Sequence, residues 1–366
     1  MSNDVEKVLP PIMALLPSLL DALDALSFTA RHFHPPVLPE LVAMLEGRDT
    51  GLQAQLMVLA TLECPSSLAP IQNQLLLAGE QTLKTFDGLR LAPDAPQPAL
   101  QGYRALRHLT RAQEALYALV WLFPPISDFF LEAGSRQDAP LLAALEAADP
   151  ERPDVGLMHV NNERDKRGGI SIYVPEYYDP ASAMPLIMAL HGGSGHGRDF
   201  VWSWLRAARS HGAILVCPTS RDDTWSLMES DRDFLGLERI LAFVGERWNI
   251  DRQRLLLTGM SDGGTFSYVA GLNPQSSFTH LAPVSASFHP FLLQTTTPAR
   301  LKNLPIHITH GALDWMFPAH MAREANAVLT ASAANCSYSE IADLSHTYPV
   351  EENAALIQWL NETPGQ

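Results

Sequence analysis

The sequence predicts an α/β fold, a mostly parallel central sheet flanked by helices and preceded by an all-helical N-terminal region. Three observations carry this expectation. Composition changes near residue 150: the first 150 residues hold 15 of the 28 prolines but only 6 of the 22 glycines. Beyond that point short apolar runs alternate with helical segments, the grammar of a sheet covered on both faces. One of those runs ends in a glycine-framed serine turn that leads straight into a helix.

In residues 1–150 the apolar side chains step by three or four. Ile71, Leu75, Gly79, Leu83 and Phe86 form one such series, and Tyr103, Leu106, Leu109, Leu116 and Val120 form another. Prolines punctuate the region, which predicts five to seven short helices with proline-marked ends. No unit of 20–50 residues repeats, which argues against a helical solenoid. Residues 151–366 form the second expected domain. Strand-like runs lie at 169–174, 185–190, 213–217, 254–257, 281–285, 306–309 and 337–341, with helical segments at 198–210, 234–248, 263–271, 319–332 and 351–360.

The chain of 366 residues carries 40 acidic and 25 basic side chains, a formal charge of −15. Binding to nucleic acid needs a basic face to release counterions, so this balance argues against such a partner. Cys64, Cys217 and Cys336 are far apart and odd in number, neither a disulfide framework nor a zinc site, and they imply a reducing compartment. Residues 8–20 are apolar, but Asp4 and Glu6 precede them and Pro10, Pro11 and Pro17 interrupt them, unlike a secretory signal. No run reaches the roughly 18 to 20 uninterrupted apolar residues of a membrane span. The expectation is a cytoplasmic protein with no integral membrane insertion.

The run 254–257 leads into Thr258-Gly259-Met260-Ser261-Asp262-Gly263-Gly264 and then a helix. This is G-x-S-x-G in the strand-to-helix context that makes it a nucleophile elbow. The turn is so sharp that side chains at 259 and 263 would collide. It lifts the Ser261 hydroxyl clear of the sheet, and the helix directs its first N–H groups toward developing negative charge. The run 185–190 ends in His191-Gly192-Gly193-Ser194-Gly195, where the absent Cβ lets backbone donors approach a substrate oxygen. An oxyanion hole would combine the N–H of Asp262 with that of Gly193 or Ser194. Glycines at 193, 195 and 197 do not have dinucleotide-loop spacing, no ribose-binding acid ends the next strand, and no Lys-Ser/Thr pair follows, so nucleotide binding is not expected.

A serine nucleophile needs a base, and the base an orienting carboxylate, both after the serine in the chain order of this elbow. Asp314 follows the run 306–309, and His346 follows the run 337–341, each beyond a strand end. His320 lies only six residues past Asp314 at a helix start, a poorer base, and Asp343 near His346 reads as a turn residue. His307 and His310 are spaced like a metal pair but lack a third ligand nearby. They and His32 and His34 read as packing histidines, so no metal is expected.

Taken together, HGGSG at 191–195, GMSDGG at 259–264, HGALDWMFP at 310–318 and LSHTYP at 344–349 resemble the α/β-hydrolase superfamily. Their order and spacing are similar to bacterial esterases grouped as phospholipase/carboxylesterase-like, with feruloyl esterases and polyhydroxybutyrate depolymerase-like proteins nearby. The resemblance spans residues 156–362. It implies a serine ester hydrolase without a cofactor, with Ser261, Asp314 and His346 as its catalytic triad. Asp262 departs from many relatives, which carry an uncharged residue there. Its carboxylate would cap the helix, or would repel an oxyanion if turned inward. The helical N-terminal region has no recognised relative.

Trp225, Met228, Phe288, Phe291, Trp315, Met316 and Phe317 fall near strand ends and, as a group, suggest a pocket for an uncharged acyl or aromatic ester. No basic cluster is evident to hold a phosphate-rich substrate. The N-terminal region has three readings: a lid, a homo-oligomerisation surface, or a companion domain. A serine peptidase or acyltransferase would use the same residues, and a non-catalytic interaction protein would not need them all intact.

Overall fold

The computed structural model describes residues 3–227, 230–363 and 365. The chain forms two compact units, Met1–Glu132 and Ala133–Gln366.

The first unit is helical: α1 (Asn3–Arg31), α2 (Leu38–Ala43), α3 (Thr50–Ala60), α4 (Ala69–Arg90), α5 (Pro98–Tyr117) and α6 (Pro124–Phe129). Three of these helices are long rather than short, and α1 runs straight through Pro10, Pro11 and Pro17. Each interior proline costs roughly 3 kcal/mol. Against that, Leu15, Leu16, Leu19, Ala22, Leu23 and Leu26 are almost wholly buried, at about 1.5–3 kcal/mol for each leucine. Burial wins in α1, whereas α2, α4, α5 and α6 each carry proline in the first turn, the proline-marked start that the sequence predicts. Residues Val8–Arg31 are, by length and composition, apolar enough to cross a membrane, although Asp21 and Asp24 interrupt them.

The second unit opens with α7 (Ala139–Ala147), which lies on the N-terminal side of the compositional change at residue 150. There follow β1 (Gly156–Val160), β2 (Ile170–Val174), β3 (Met184–Leu190), α8 (Gly197–Phe200), α9 (Leu205–His211), β4 (Ile214–Pro218), α10 (Ser230–Gly245), β5 (Ile250–Met260) and α11 (Asp262–Gly271). The chain ends through β6 (His280–Val284), α12 (Leu292–Thr295), α13 (Pro298–Leu301), β7 (Pro305–Gly311), α14 (His320–Ala331), β8 (Asn335–Ile341) and α15 (Asn353–Glu362).

These eight strands form one sheet in the order β1-β2-β4-β3-β5-β6-β7-β8. The pairs β1–β2 and β2–β4 are antiparallel and all the others are parallel. β2, β4 and β6 are buried at every residue, so both faces of the sheet are covered. The α11 helix packs on β5 and β6, α14 on β7 and β8, and α15 on β5 and α9. Register aligns Leu190 with Gly259 and Met260 with Val284, so the parallel strands end level and the segments carrying His191 and Ser261 leave the sheet side by side. The edge strand β1 was not legible as a strand, being short and only half-buried. The single helix expected over 198–210 is two short helices joined by a 3-10 turn at Val201–Ser203.

Candidate active site

Ser261 stands alone between β5 and α11 with φ 56° and ψ −120°, a conformation costly for a residue with a side chain. The close approach around it explains the flanking glycines. A Cβ on Gly263 would strike the Leu190 carbonyl, and one on Gly259 would strike the Gly263 backbone. Strain is thus accepted at Ser261, whose hydroxyl is presented to partners from two other loops.

Those partners are the ones expected from chain order. His346 Nε2 lies 3.0 Å from Ser261 Oγ, and His346 Nδ1 lies 2.9 and 3.0 Å from the two Asp314 carboxylate oxygens. All three residues are buried. The loop after β7 holds Asp314 in place: its Oδ1 accepts the N–H groups of Met316 at 2.9 Å and Phe317 at 2.8 Å. Burial raises the Asp314 pKa, but the hydrogen bond and charge of His346 and the Phe317 N–H outweigh it, so the carboxyl titrates below its ordinary value. With Asp314 ionised, His346 carries its proton on Nδ1, and the Nε2 lone pair faces the serine hydroxyl. The Phe317 ring meets the His346 ring edge-on, 5.4 Å between centroids.

Other candidates fall elsewhere. His320 is exposed at the start of α14, and Asp343 is exposed. His310 Nε2 bonds the Phe317 carbonyl at 2.7 Å and lies 3.5 Å from Asp314, whereas His307 Nδ1 bonds Ser337 Oγ at 2.8 Å. The two histidines therefore serve separate neighbours rather than a shared ligand. Burial holds the pKa of both below the ordinary imidazole value.

The His191–Gly195 turn lies against the serine elbow. A Cβ on Gly192 would be 3.5 Å from Ser261 Cβ, and one on Gly193 would be 2.7 Å from an Asp262 carboxylate oxygen. Of the two donors weighed on this turn, Ser194 is corrected. Its N–H donates to the Asp223 carbonyl at 2.8 Å and is turned to that loop. Gly193 lies against Asp262, the residue that follows Ser261. The Asp262 carboxylate is drawn aside, accepting from Thr224 Oγ1 at 2.6 Å.

The expected pocket residues divide. Trp225 is corrected from substrate lining to support: it is buried, donates from Nε1 to the His191 carbonyl at 2.8 Å, and stacks on Phe266. Phe288 is half-buried and meets Tyr268 edge-on. Trp315, Met316 and Phe291 are exposed, and Met228 lies outside the described residues. Thr224 had no signature in the sequence, because its contact reaches Asp262 from 38 residues away.

Residues 237–363 match the model of the phospholipase/carboxylesterase family. Over 162 residues the chain is 27% identical to a bifunctional acetylxylan esterase/xylanase of Neocallimastix patriciarum, covering 42% of this chain and 23% of that protein. The chain thus spans less than a quarter of the curated relative it matches. Among solved structures, a thermostable esterase is similar at 21% identity and TM-score 0.46, over 58% of this chain and 64% of that one. A truncated carbohydrate esterase from gut microbiota is similar at 14% identity and TM-score 0.47, over 58% of this chain and 98% of that one. The sheet order, the serine elbow after β5 and the family match make the second unit an α/β-hydrolase in fold.

Proposed function

We propose that the second unit hydrolyses carboxylic esters through an acyl-enzyme formed on Ser261. One observation carries the reading: the hydrogen-bonded relay in which Asp314 fixes the tautomer of His346 and His346 Nε2 faces Ser261 Oγ at 3.0 Å. The family match and the esterase relative support the same chemistry.

In this mechanism Ser261 Oγ attacks the ester carbonyl carbon as its proton passes to His346 Nε2. The imidazolium is stabilised by the Asp314 carboxylate. The carbonyl oxygen becomes an oxyanion facing the N–H groups of Gly193 and Asp262, with α11 behind it contributing its positive end. Collapse breaks the bond to the alcohol oxygen, which takes the proton from His346. Water then attacks the acyl-enzyme, giving its proton to His346. The second tetrahedral intermediate releases the acid and returns the proton to Ser261.

The acetylxylan relative makes short acyl groups on an alcohol of a sugar the first substrates to try. The exposed Trp315 and Met316, next in the chain after Asp314, are the candidate apolar contacts for the leaving group.

The test is hydrolysis of p-nitrophenyl esters from acetate to palmitate by the wild type and Ser261→Ala. The expected result is turnover that falls at least about a thousandfold in the variant, with an optimum at short chains. A Ser261→Ala protein with wild-type activity would overturn the reading.

A further inference from the structure

The turn that carries Gly193 is bound by a side chain remote in sequence and outside every recognised motif. Arg167 sits in the connector between β1 and β2. Its Nη1 donates to the Gly195 carbonyl at 2.6 Å, its Nε to the carbonyls of Ser220 at 3.1 Å and Asp222 at 3.0 Å, and its Nη2 to Asp222 O at 2.6 Å and to Ser220 Oγ. One planar guanidinium therefore spans two loops, the 191–195 turn and the 219–225 segment.

Those loops are also joined to each other. The Ser194 N–H donates to Asp223 O at 2.8 Å, the Ser220 N–H donates to His191 Nε2 at 3.0 Å, and Trp225 Nε1 donates to His191 O. The connector is tied down in turn: Thr219 N–H donates to Gly169 O at 2.8 Å and Thr219 Oγ1 to Asn162 Oδ1 at 2.7 Å, while His196 Nε2 lies 3.0 Å from Lys166 O. The same 219–225 segment carries Thr224, which holds the Asp262 carboxylate.

We infer that Arg167 is a positioning residue for the oxyanion donors, clamping the 191–195 turn and the 219–225 segment so that the Gly193 N–H is held against the Ser261 elbow. The inference rests on the esterase reading above. Arginine suits the task because its donors lie in a fixed plane and reach several carbonyls at once, whereas a lysine ammonium is a flexible point charge. Backbone donors act only when they are preorganised toward the developing charge, and a displacement near 1 Å costs roughly a hundredfold in rate.

The experiment compares Arg167→Lys and Arg167→Gln with the wild type and Ser261→Ala in the full chain. Rates of the wild type and the two Arg167 variants are taken per active site, counted by the end point of fluorophosphonate titration, so partial misfolding does not enter the result. The rate of Ser261→Ala, which has no serine to titrate, is taken per mole of protein. The expected result in both variants is a kcat lower by about 10- to 100-fold with KM within about threefold. The inhibition constant of a boronic acid that forms a tetrahedral adduct on serine should rise in parallel with the loss of kcat. Added methylguanidinium should restore part of the rate of Arg167→Gln. A residue that serves only stability would leave the per-site kcat and the boronate constant unmoved, and that result in both variants overturns the inference. A loss confined to KM overturns it too. Activity that survives Ser261→Ala would instead remove the esterase reading, and this inference with it.

Discussion

Thr224 donates its hydroxyl proton to Asp262 Oδ2 at 2.6 Å, and that bond resolves the one discordant residue of the serine elbow. In the proposed mechanism Asp262 lends its N–H to the oxyanion, yet its side chain is a carboxylate. A carboxylate free to swing there would oppose the charge that the helix and the backbone donors favour. Bound to Thr224, it faces the 219–225 segment.

Thr224→Val removes that tether while preserving side-chain shape. At 5 Å and an effective dielectric near 20, repulsion between two unit charges is roughly 3 kcal/mol, an upper bound on the effect. The expected outcome is a kcat lower by about 10- to 100-fold with little change in KM. The double variant Thr224→Val/Asp262→Asn should recover most of the loss, because the charge is gone. Steady-state kinetics on the three proteins check this, and a double variant no faster than Thr224→Val would show that charge is not the cause.

Asp314→Asn should lower kcat by roughly three to four powers of ten while the fold persists. An amide oriented to donate to Nδ1 would favour the wrong tautomer and turn a protonated Nε2 toward Ser261. Because the Asp314 pKa is depressed, the native carboxyl stays ionised above its ordinary value near 3.9. Its stabilising contribution is complete above that value and is lost as pH falls through the lower native value. The acid limb of the wild-type rate profile should therefore lie well above the range in which Asp314 titrates. A profile that follows a group below about pH 4 would contradict this.

The residues at the candidate site were legible in the sequence to the extent that their geometry is local. Ser261 sits in a motif whose glycines are dictated by backbone contact, and Asp314 and His346 each follow a strand in the order the elbow requires. Arg167 and Thr224 were not legible, since a guanidinium reaching carbonyls 28 and 53 residues away leaves no period or spacing in the chain. Trp225 misled for a related reason. An aromatic near a strand end has the same sequence appearance whether it faces a substrate or donates to His191 O and stacks on Phe266. Prolines mark the first turn of α2, α4, α5, α6 and α7, as the sequence predicts. Those inside α1 do not stop it, because local propensity is weaker than the burial of a leucine-rich face that only tertiary packing defines.

Acid should destabilise the second unit well before its carboxylates protonate. Burial lowers the pKa of His191 to about 3 and of His280 to about 4, and it also holds those of His196, His307 and His310 below the ordinary value. For His191 the neutral form fits its bonds: Nδ1–H donates to Gly192 O while Nε2 accepts from Ser220. Between about pH 6.5 and these native values the unfolded chain binds protons that the folded chain refuses. Stability is thus full above about pH 6.5 and declines as pH falls toward the native values. Each such histidine contributes a slope of up to about 1.4 kcal/mol per pH unit. Thermal unfolding followed from pH 7 to pH 4 should show a steadily falling midpoint, and a flat midpoint over that range would contradict the burial of these rings.

Arg209 and Glu176 form an ion pair at 3.0 Å with side chains 3% and 0% exposed, and Tyr173 donates to the second carboxylate oxygen at 2.7 Å. Bringing two charges out of water is costly, and the carboxylate is compensated at both oxygens, by Arg209 and by Tyr173. Removing one partner leaves the other charge buried and uncompensated. Glu176→Ala should therefore destabilise the second unit by about 3–5 kcal/mol. Arg209→Met with Glu176→Leu, which removes both charges at similar volume, should lose much less. The pair joins the segment after β2 to α9, so per-site kcat should be unchanged wherever the protein is folded. Denaturant unfolding of the single and double variants measures both effects. Equal losses in the two would show that packing, not the orphaned charge, sets the penalty.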